Sequence, residues 1–368
     1  MDIRTKKLAE LMVNYSVAVK PGDRVLIDGS VAAAPLIKEI FAEVLKAGGN
    51  PLLFLDLPGL DEVLYHHASD EQLAFIHEPV RYVMDEYDVF IDLIADTNTK
   101  SLNEVDPAKL VTRRRARRDL VNRFFQRAAQ KKLRWTLTLF PTEAHAQDAE
   151  MSLEAYEDFV YNACLPDLND PVGYWKRFSA GQDYLVDWLK GKKTVHILSE
   201  GTDLTLSIEG RQSINCDCHE NVPDGEIFTG PVEDSVNGHV YFSYPAIFGG
   251  REVAGVRLWF ENGKVIKATA EKNEDFLLKT LDTDAGARYL GEFAIGTNTT
   301  ITRFTRNILF DEKIGGSFHM ALGAGYPETG SKNESSLHWD MINDMRTRGE
   351  IWVDGELFYQ NGKFIVKA

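Results

Sequence analysis

The sequence predicts an α/β N-terminal domain with a mainly parallel sheet, followed by a C-terminal, mainly antiparallel β (α+β) domain. Three observations predict it. Apolar strand-like runs alternate with amphipathic helical stretches through the first half, the texture changes to short alternating segments near residue 190, and two Asn-Gly pairs then mark tight hairpins. A length of 368 residues suits two domains, at a rough prior of about 150 residues each. The boundary is placed at residue 190, giving domains 1–190 and 191–368.

In chain order, the first predicted strand is Arg24-Val25-Leu26-Ile27-Asp28-Gly29 and the second Pro51-Leu52-Leu53-Phe54-Leu55. Val89-Phe90-Ile91-Asp92-Leu93-Ile94 and Trp135-Thr136-Leu137-Thr138-Leu139 follow. Continuously apolar strands need cover on both faces, and the amphipathic stretches between them, such as Pro35 to Lys46, supply it. Asp28-Gly29-Ser30 lacks the full glycine pattern of a nucleotide-binding loop and reads as a structural turn. The run Arg113 to Arg118, continued by Arg123, Arg127, Lys131 and Lys132, reads as a helix whose Leu120, Val121, Phe124 and Phe125 pack inward. In the second half, Asp203 to Ile208 and His239 to Tyr244 alternate as half-buried strands do. Val256 to Phe260 and Val265 to Ala268 flank Asn262-Gly263, a pair that supplies positive φ at both central positions of a hairpin turn, and Asn361-Gly362 repeats the device.

A hydrophobic fraction of 44% and an aromatic fraction of 11% are ordinary for a globular chain. No segment approaches the ~20 apolar residues of a membrane span, and Met1-Asp2-Ile3-Arg4 begins without the apolar core of a secretion signal. A cytoplasmic protein with no membrane partner is expected. A net charge of −15 argues against nucleic acid as a partner, so the arginine run is read as a solvated helix face. Cys164, Cys216 and Cys218 form no disulfide framework. Cys216-Asp217-Cys218-His219 offers zinc ligands on only one short segment and reads instead as packed thiols near a turn.

His338-Trp339-Asp340 carries the most chemistry, because on an extended segment residues two apart share a face and can grip one ion together. His319, Glu226, Glu292 and Glu312 stand upstream of it. Glycines that permit unusual backbone geometry accompany Glu292, Glu312 and His319, and Pro223-Asp224-Gly225 turns the chain into Glu226. Two imidazoles with three or four carboxylates exceed the needs of one tetrahedral zinc and suit two divalent ions. Such a pair activates water and polarises a carbonyl, which is the chemistry of amide or ester hydrolysis. His66, His67, His77, His145, His196 and His239 lack comparable company and are read as structural. The absence of a His-Glu-x-x-His helix and of a Gly-x-Ser-x-Gly elbow argues against zincin and serine-hydrolase mechanisms.

Taken together, these motifs resemble the M29 family of metalloaminopeptidases, also called the aminopeptidase T or thermophilic aminopeptidase family. The resemblance runs nearly end to end, through Phe140-Pro141-Thr142, Ala146-Gln147, Met151-Ser152-Leu153, Asn221 to Thr229 and Gly291 to Gly296. It continues through Asp311-Glu312-Lys313, His319 to Gly323, Gly325-Tyr326-Pro327 and His338-Trp339-Asp340. It implies release of N-terminal residues from peptides with a free N-terminus, two divalent ions per subunit (zinc, cobalt, manganese or magnesium) and a homodimer. Metal ligands are then implied at Glu226, Glu292, His319, His338 and Asp340, with Glu312 either a further ligand or a base beside the metals. Glu226 or Glu312 would carry the proton, and Tyr326 would stand beside the metals as a donor to the oxyanion. Two other readings stay open: a dinuclear hydrolase of a nonpeptide amide or ester, and a non-catalytic protein with a structural metal.

Overall fold

The structure is a computed structural model and describes residues 2–366. The chain divides into two compact units, the first ending at Tyr174 and also taking in Cys218–Pro223, the second made of Trp175–Asp217 and the chain from Asp224 onward.

In the first unit, strands Arg24–Ser30, Asn50–Asp56, Val89–Ile94 and Arg134–Leu139 are all parallel, in the spatial order second, first, third, fourth. Asn221–Val222 adds a short parallel pairing beyond the fourth. Each predicted strand is present with its ends within one residue of expectation. Their apolar runs are continuous because both faces are covered. Helix Ala34–Lys46 buries Leu36, Ile37, Ile40 and Val44, while Leu26 and Phe90 pack with Val83, Leu133 and the partly buried Phe124 and Trp135.

The long helix Pro107–Ala129 departs from expectation. Leu120 is buried and Phe124 joins the core cluster, but Val121 and Phe125 are 50% and 56% exposed. Each follows its buried neighbour by one residue, a rotation of about 100° on a helix of 3.6 residues per turn, which takes both off the narrow buried stripe.

In the second unit, helix Pro171–Leu189 lays Leu185, Trp188 and Leu189 against the β core, so the compact unit begins at Trp175, while the β texture begins at Thr194. Two antiparallel sheets share that core. The eight-stranded sheet contains both Asn-Gly hairpins, with φ of 48° and 81° at Asn262 and Gly263 and of 48° and 79° at Asn361 and Gly362. The five-stranded sheet runs His338–Asp344, Ser317–Gly323, Leu290–Gly296, Glu226–Thr229, Ile214–Cys216. One of its faces buries Phe293, Ile295, Phe318, Met320, Trp339 and Met341 against Val195, Leu204 and Leu258 of the larger sheet. Each such side chain stabilises by roughly 1.5–3 kcal/mol when buried, so this face alone anchors the sheet and leaves the other for polar side chains. Among the described residues no helix is long and apolar enough to cross a membrane.

Candidate metal centre

Strand register decides which side chains meet. Ala321 lies opposite both Glu292 and Asp340, and directly opposed residues point to the same face. His319 is two residues from Ala321 and His338 two from Asp340, so both imidazoles join that face. Glu226 is opposite Gly296, and Ala294, two residues back, is opposite His319. All five candidate ligands therefore project from the face opposite the apolar one, with Ala294, Gly296 and Ala321 leaving space between them.

A β-bulge puts Glu292 there. Leu290 pairs with Leu322 and points into the core, and without an extra residue Glu292 would pair with Met320 and follow it. Gly291 is the extra residue; it shifts the register so that Glu292 opposes Ala321 instead. A Cβ at Gly291 would lie 2.1 Å from the Ala324 carbonyl oxygen, so glycine alone fits.

The resulting distances are short. His319 Nε2 is 3.2 Å from Glu226 Oε2 and 3.8 Å from Glu292 Oε1, and His338 Nε2 is 3.4 Å from Glu292 Oε2 and 3.5 Å from Asp340 Oδ2. Ligand atoms lie within 4.8 Å of one another in the sets Glu226–Glu292–His319, Glu292–His338–Asp340 and Glu312–His319–Asp340. All six metal-ligand candidates from the sequence are thus brought together. His338 Nδ1 lies 2.9 Å from the Ala324 carbonyl; donating there leaves Nε2 to face the carboxylates. The Tyr326 ring lies 5.3 Å from that of His338 and 5.2 Å from that of Phe228. Burial and the Glu292, Asp340, Glu312 and Glu226 charges push its phenol far up, so it remains a hydrogen-bond donor.

Three residues of this neighbourhood escaped sequence reasoning. Lys313 is fully buried, ion-paired with Glu312 and 3.7 Å from Glu226 Oε1. Burial works against its charge, but Glu226, Glu312 and Asp224 outweigh this and hold its pKa well above the ordinary value. Cys216 and Asp224 form a fourth close set with Glu226, Cys216 lying directly opposite Glu226 across the sheet. Cys218 and His219 belong to no such set among the described residues. The one available signal for Lys313 was its position directly after Glu312 in a glycine-flanked apolar run; Asp224 read only as a turn former. Asp311 is structural, its Oδ1 accepting from Thr305 N at 2.7 Å and Thr305 Oγ1 at 2.9 Å, which clasps the turn before Glu312. The loop at Phe248 packs on Trp339, on the face away from the ligands.

The electrostatics identify what the cleft accommodates. Burial opposes charge on His319, but the close Glu292 carboxylate and the charges of Glu226 and Asp340 raise its pKa to about 9. His338 is raised to about 10 against burial by Asp340, Glu292 and the Ala324 carbonyl. Burial pushes the Glu226 and Glu292 carboxyls up, whereas Asp340 is held down by His338 despite its burial. Glu226 Oε2, His319 Nδ1 and Asp340 Oδ1 are buried with no hydrogen-bond partner among the described residues. Four carboxylates (Glu226, Glu292, Glu312 and Asp340) against one lysine leave −4 + 1 = −3 with both imidazoles neutral. Buried charge of one sign is costly without compensation, and oxygen and imidazole nitrogen donors are those of divalent ions. The residues therefore fit a divalent cation.

Imidazoles and carboxylates converging on one buried sheet face form a site suited to divalent metal ions. The chain belongs to the thermophilic metalloprotease (M29) family, whose profile matches residues 1–364. It is 27% identical to Aminopeptidase 2 of Geobacillus stearothermophilus, over 90% of this chain and 86% of that one. It is 25% identical to Aminopeptidase T of Thermus thermophilus, over 97% and 95% of the two chains. Among solved structures, wild-type AmpT from Thermus thermophilus aligns at a TM-score of 0.86 and 23% identity over 99% of each chain. A 2,5-dihydroxypyridine dioxygenase from Pseudomonas putida aligns at 0.60 and 10% identity over 100% and 99%. Those two structures show a shared fold, and the second shows that the fold alone does not fix the reaction.

Proposed function

We propose that this protein is a metalloaminopeptidase that releases N-terminal residues from peptides, with two divalent ions held by Glu226, Glu292, Glu312, His319, His338 and Asp340. One observation carries this: the sets Glu226–Glu292–His319 and Glu292–His338–Asp340 overlap at Glu292, as a carboxylate shared by two ions requires. The charge sum agrees, since −3 exceeds one divalent ion and two ions leave +1. The relatives named above are aminopeptidases.

When bound, the ions supply an activated water and a Lewis acid for the scissile carbonyl, a role open to zinc, cobalt, manganese or magnesium. The chain's own residues do the rest. The anionic cleft attracts the free α-ammonium of a peptide and gives no such gain to an acylated one. Glu226 or Glu312, the latter ion-paired with Lys313, takes a proton and passes it to the leaving amine, and whichever serves as the base stands beside the ions at that step rather than on one. Tyr326 keeps its proton and donates to the developing oxyanion. A homodimer is part of this proposal by resemblance, and Cys164, Cys216 and Cys218, which form no disulfide among the described residues, suit a reducing cytoplasm.

The test is hydrolysis of an unblocked leucyl chromogenic amide by chelator-stripped protein, before and after zinc, cobalt, manganese or magnesium is restored. Activity should vanish and return, and the N-acetylated substrate should not be turned over. Equal rates on blocked and free substrates would overturn the proposal. His338→Ala should abolish both metal uptake and activity while unfolding stays cooperative, because the apolar face holds the sheet; a collapsed fold would point to a structural metal instead.

A further inference from the structure

We infer that Lys313 is a positioning residue that makes the two ion positions unequal, so that Glu292–His338–Asp340 loads first and tightly while Glu226–Glu292–His319 loads second and exchanges readily. This rests on the two-ion reading above. The two sets offer the same donors, two carboxylates and one imidazole each, with Glu292 in common. Donor chemistry alone therefore gives equal affinities, and a ranking has to come from what surrounds each set.

The surroundings differ by one charge. Lys313 is fully buried, ion-paired with Glu312 and 3.7 Å from Glu226 Oε1. Among the described residues it forms no ion pair with Glu292, His338 or Asp340, and its charge acts on Asp340 less than those of His338 and His319 do. An ion on the Glu226 side shares that carboxylate with an ammonium that water does not screen, and an ion on the His338 side meets less of this repulsion. The backbone fixes the ammonium's origin. Gly296 lies directly opposite Glu226, and a Cβ there would stand 2.3 Å from the Ile314 carbonyl oxygen and 3.0 Å from the Lys313 carbonyl carbon. Only glycine lets this segment close on the sheet beside Glu226. Lys313 N then donates to the Phe310 carbonyl at 3.1 Å, and the Lys313 carbonyl accepts from Asn298 N at 3.1 Å.

The imidazoles reinforce the ranking. His338 Nδ1 is 2.9 Å from the Ala324 carbonyl, whereas His319 Nδ1 is buried with no hydrogen-bond partner among the described residues. An imidazole whose outer nitrogen is anchored is the better ligand. At limiting metal the chain then holds one ion, and the concentration of free metal sets how much of it carries two.

Calorimetric titration of the chelator-stripped full chain with zinc, at fixed pH and with metal content counted, tests it. The wild type should bind two ions in two steps whose dissociation constants differ by about tenfold or more. His319→Ala should keep the tight step and lose the weak one. Lys313→Met should strengthen the weak step by about tenfold and leave the tight one nearly unchanged, whereas removing a merely structural lysine would weaken both. Lys313→Gln replaces it where methionine does not fold, and Lys313→Arg, which keeps the charge, should keep the wild-type gap. Two equal steps in the wild type, or a weak step that the neutral variants fail to strengthen, would overturn the inference and leave the two-ion reading standing. A single ion in wild type and neutral variants alike would overturn that reading, and the inference with it.

Discussion

Lys313 sets the balance of the cleft at the scale of single residues. Its ammonium is fully buried beside Glu226 and Glu312, and removing one partner of a buried ion pair costs about 3–5 kcal/mol because the remaining charge is stranded. Lys313→Met should therefore destabilise chelator-treated protein by about that much, and metal-loaded protein by less, since divalent cations compensate the same carboxylates. Urea unfolding of both forms measures the difference; equal losses would show that Lys313 acts by packing alone. The residue was hard to see in advance because the adjacent Glu312 gives no sign that the pair is buried, and Glu226 comes near only when distant parts of the chain meet. The His-x-Asp pair was readable because its two ligands are neighbours on one strand, and Glu226, Glu292 and His319 became readable through the glycines and turn beside them and the family resemblance.

At the scale of elements, one inserted glycine turns a carboxylate from core to cleft. Gly291→Ala would force a Cβ to 2.1 Å from the Ala324 oxygen, and that oxygen also accepts from His338 Nδ1. Relief by backbone movement disturbs Glu292 and His338 together. The expected result is a loss of about 1–3 kcal/mol in stability, as for other overpacked sites. Metal affinity should fall by roughly 10–100-fold, as when a residue orienting a ligand is changed. Calorimetric titration with the metal ion decides it, and unchanged affinity would remove the bulge from the account. Bulges leave little trace in a one-residue pattern, whereas the Asn-Gly hairpins were legible because their φ requirement is local. The exposure of Val121 and Phe125 was illegible for a different reason: periodicity marks a helix but does not give the width of its buried stripe.

For the whole molecule, the candidate ligands span Glu226 to Asp340, so they converge only when the second unit is folded, and under the proposed function protons, metal and stability are linked. The fold class was legible from strand texture, but the convergence of these distant groups depends on register, which texture alone does not reveal. His319 and His338 have pKa values raised to about 9 and about 10 from an ordinary 6.5. A group whose folded-state pKa is raised contributes stability fully present below its unfolded value and lost as pH rises through its folded value. Chelator-treated protein should therefore lose stability between about pH 6.5 and 10. Asp340 has its pKa lowered, so its own contribution is present above the ordinary carboxylate range and lost in acid, outside this window. Metal binding requires the imidazoles unprotonated, so in the loaded protein the same rise in pH strengthens metal uptake and releases protons. The melting temperatures of the two forms should diverge with rising pH, the chelated form falling while the loaded form holds. Parallel curves through that window would mean that the two histidines do not carry the charge of the metal-free cleft.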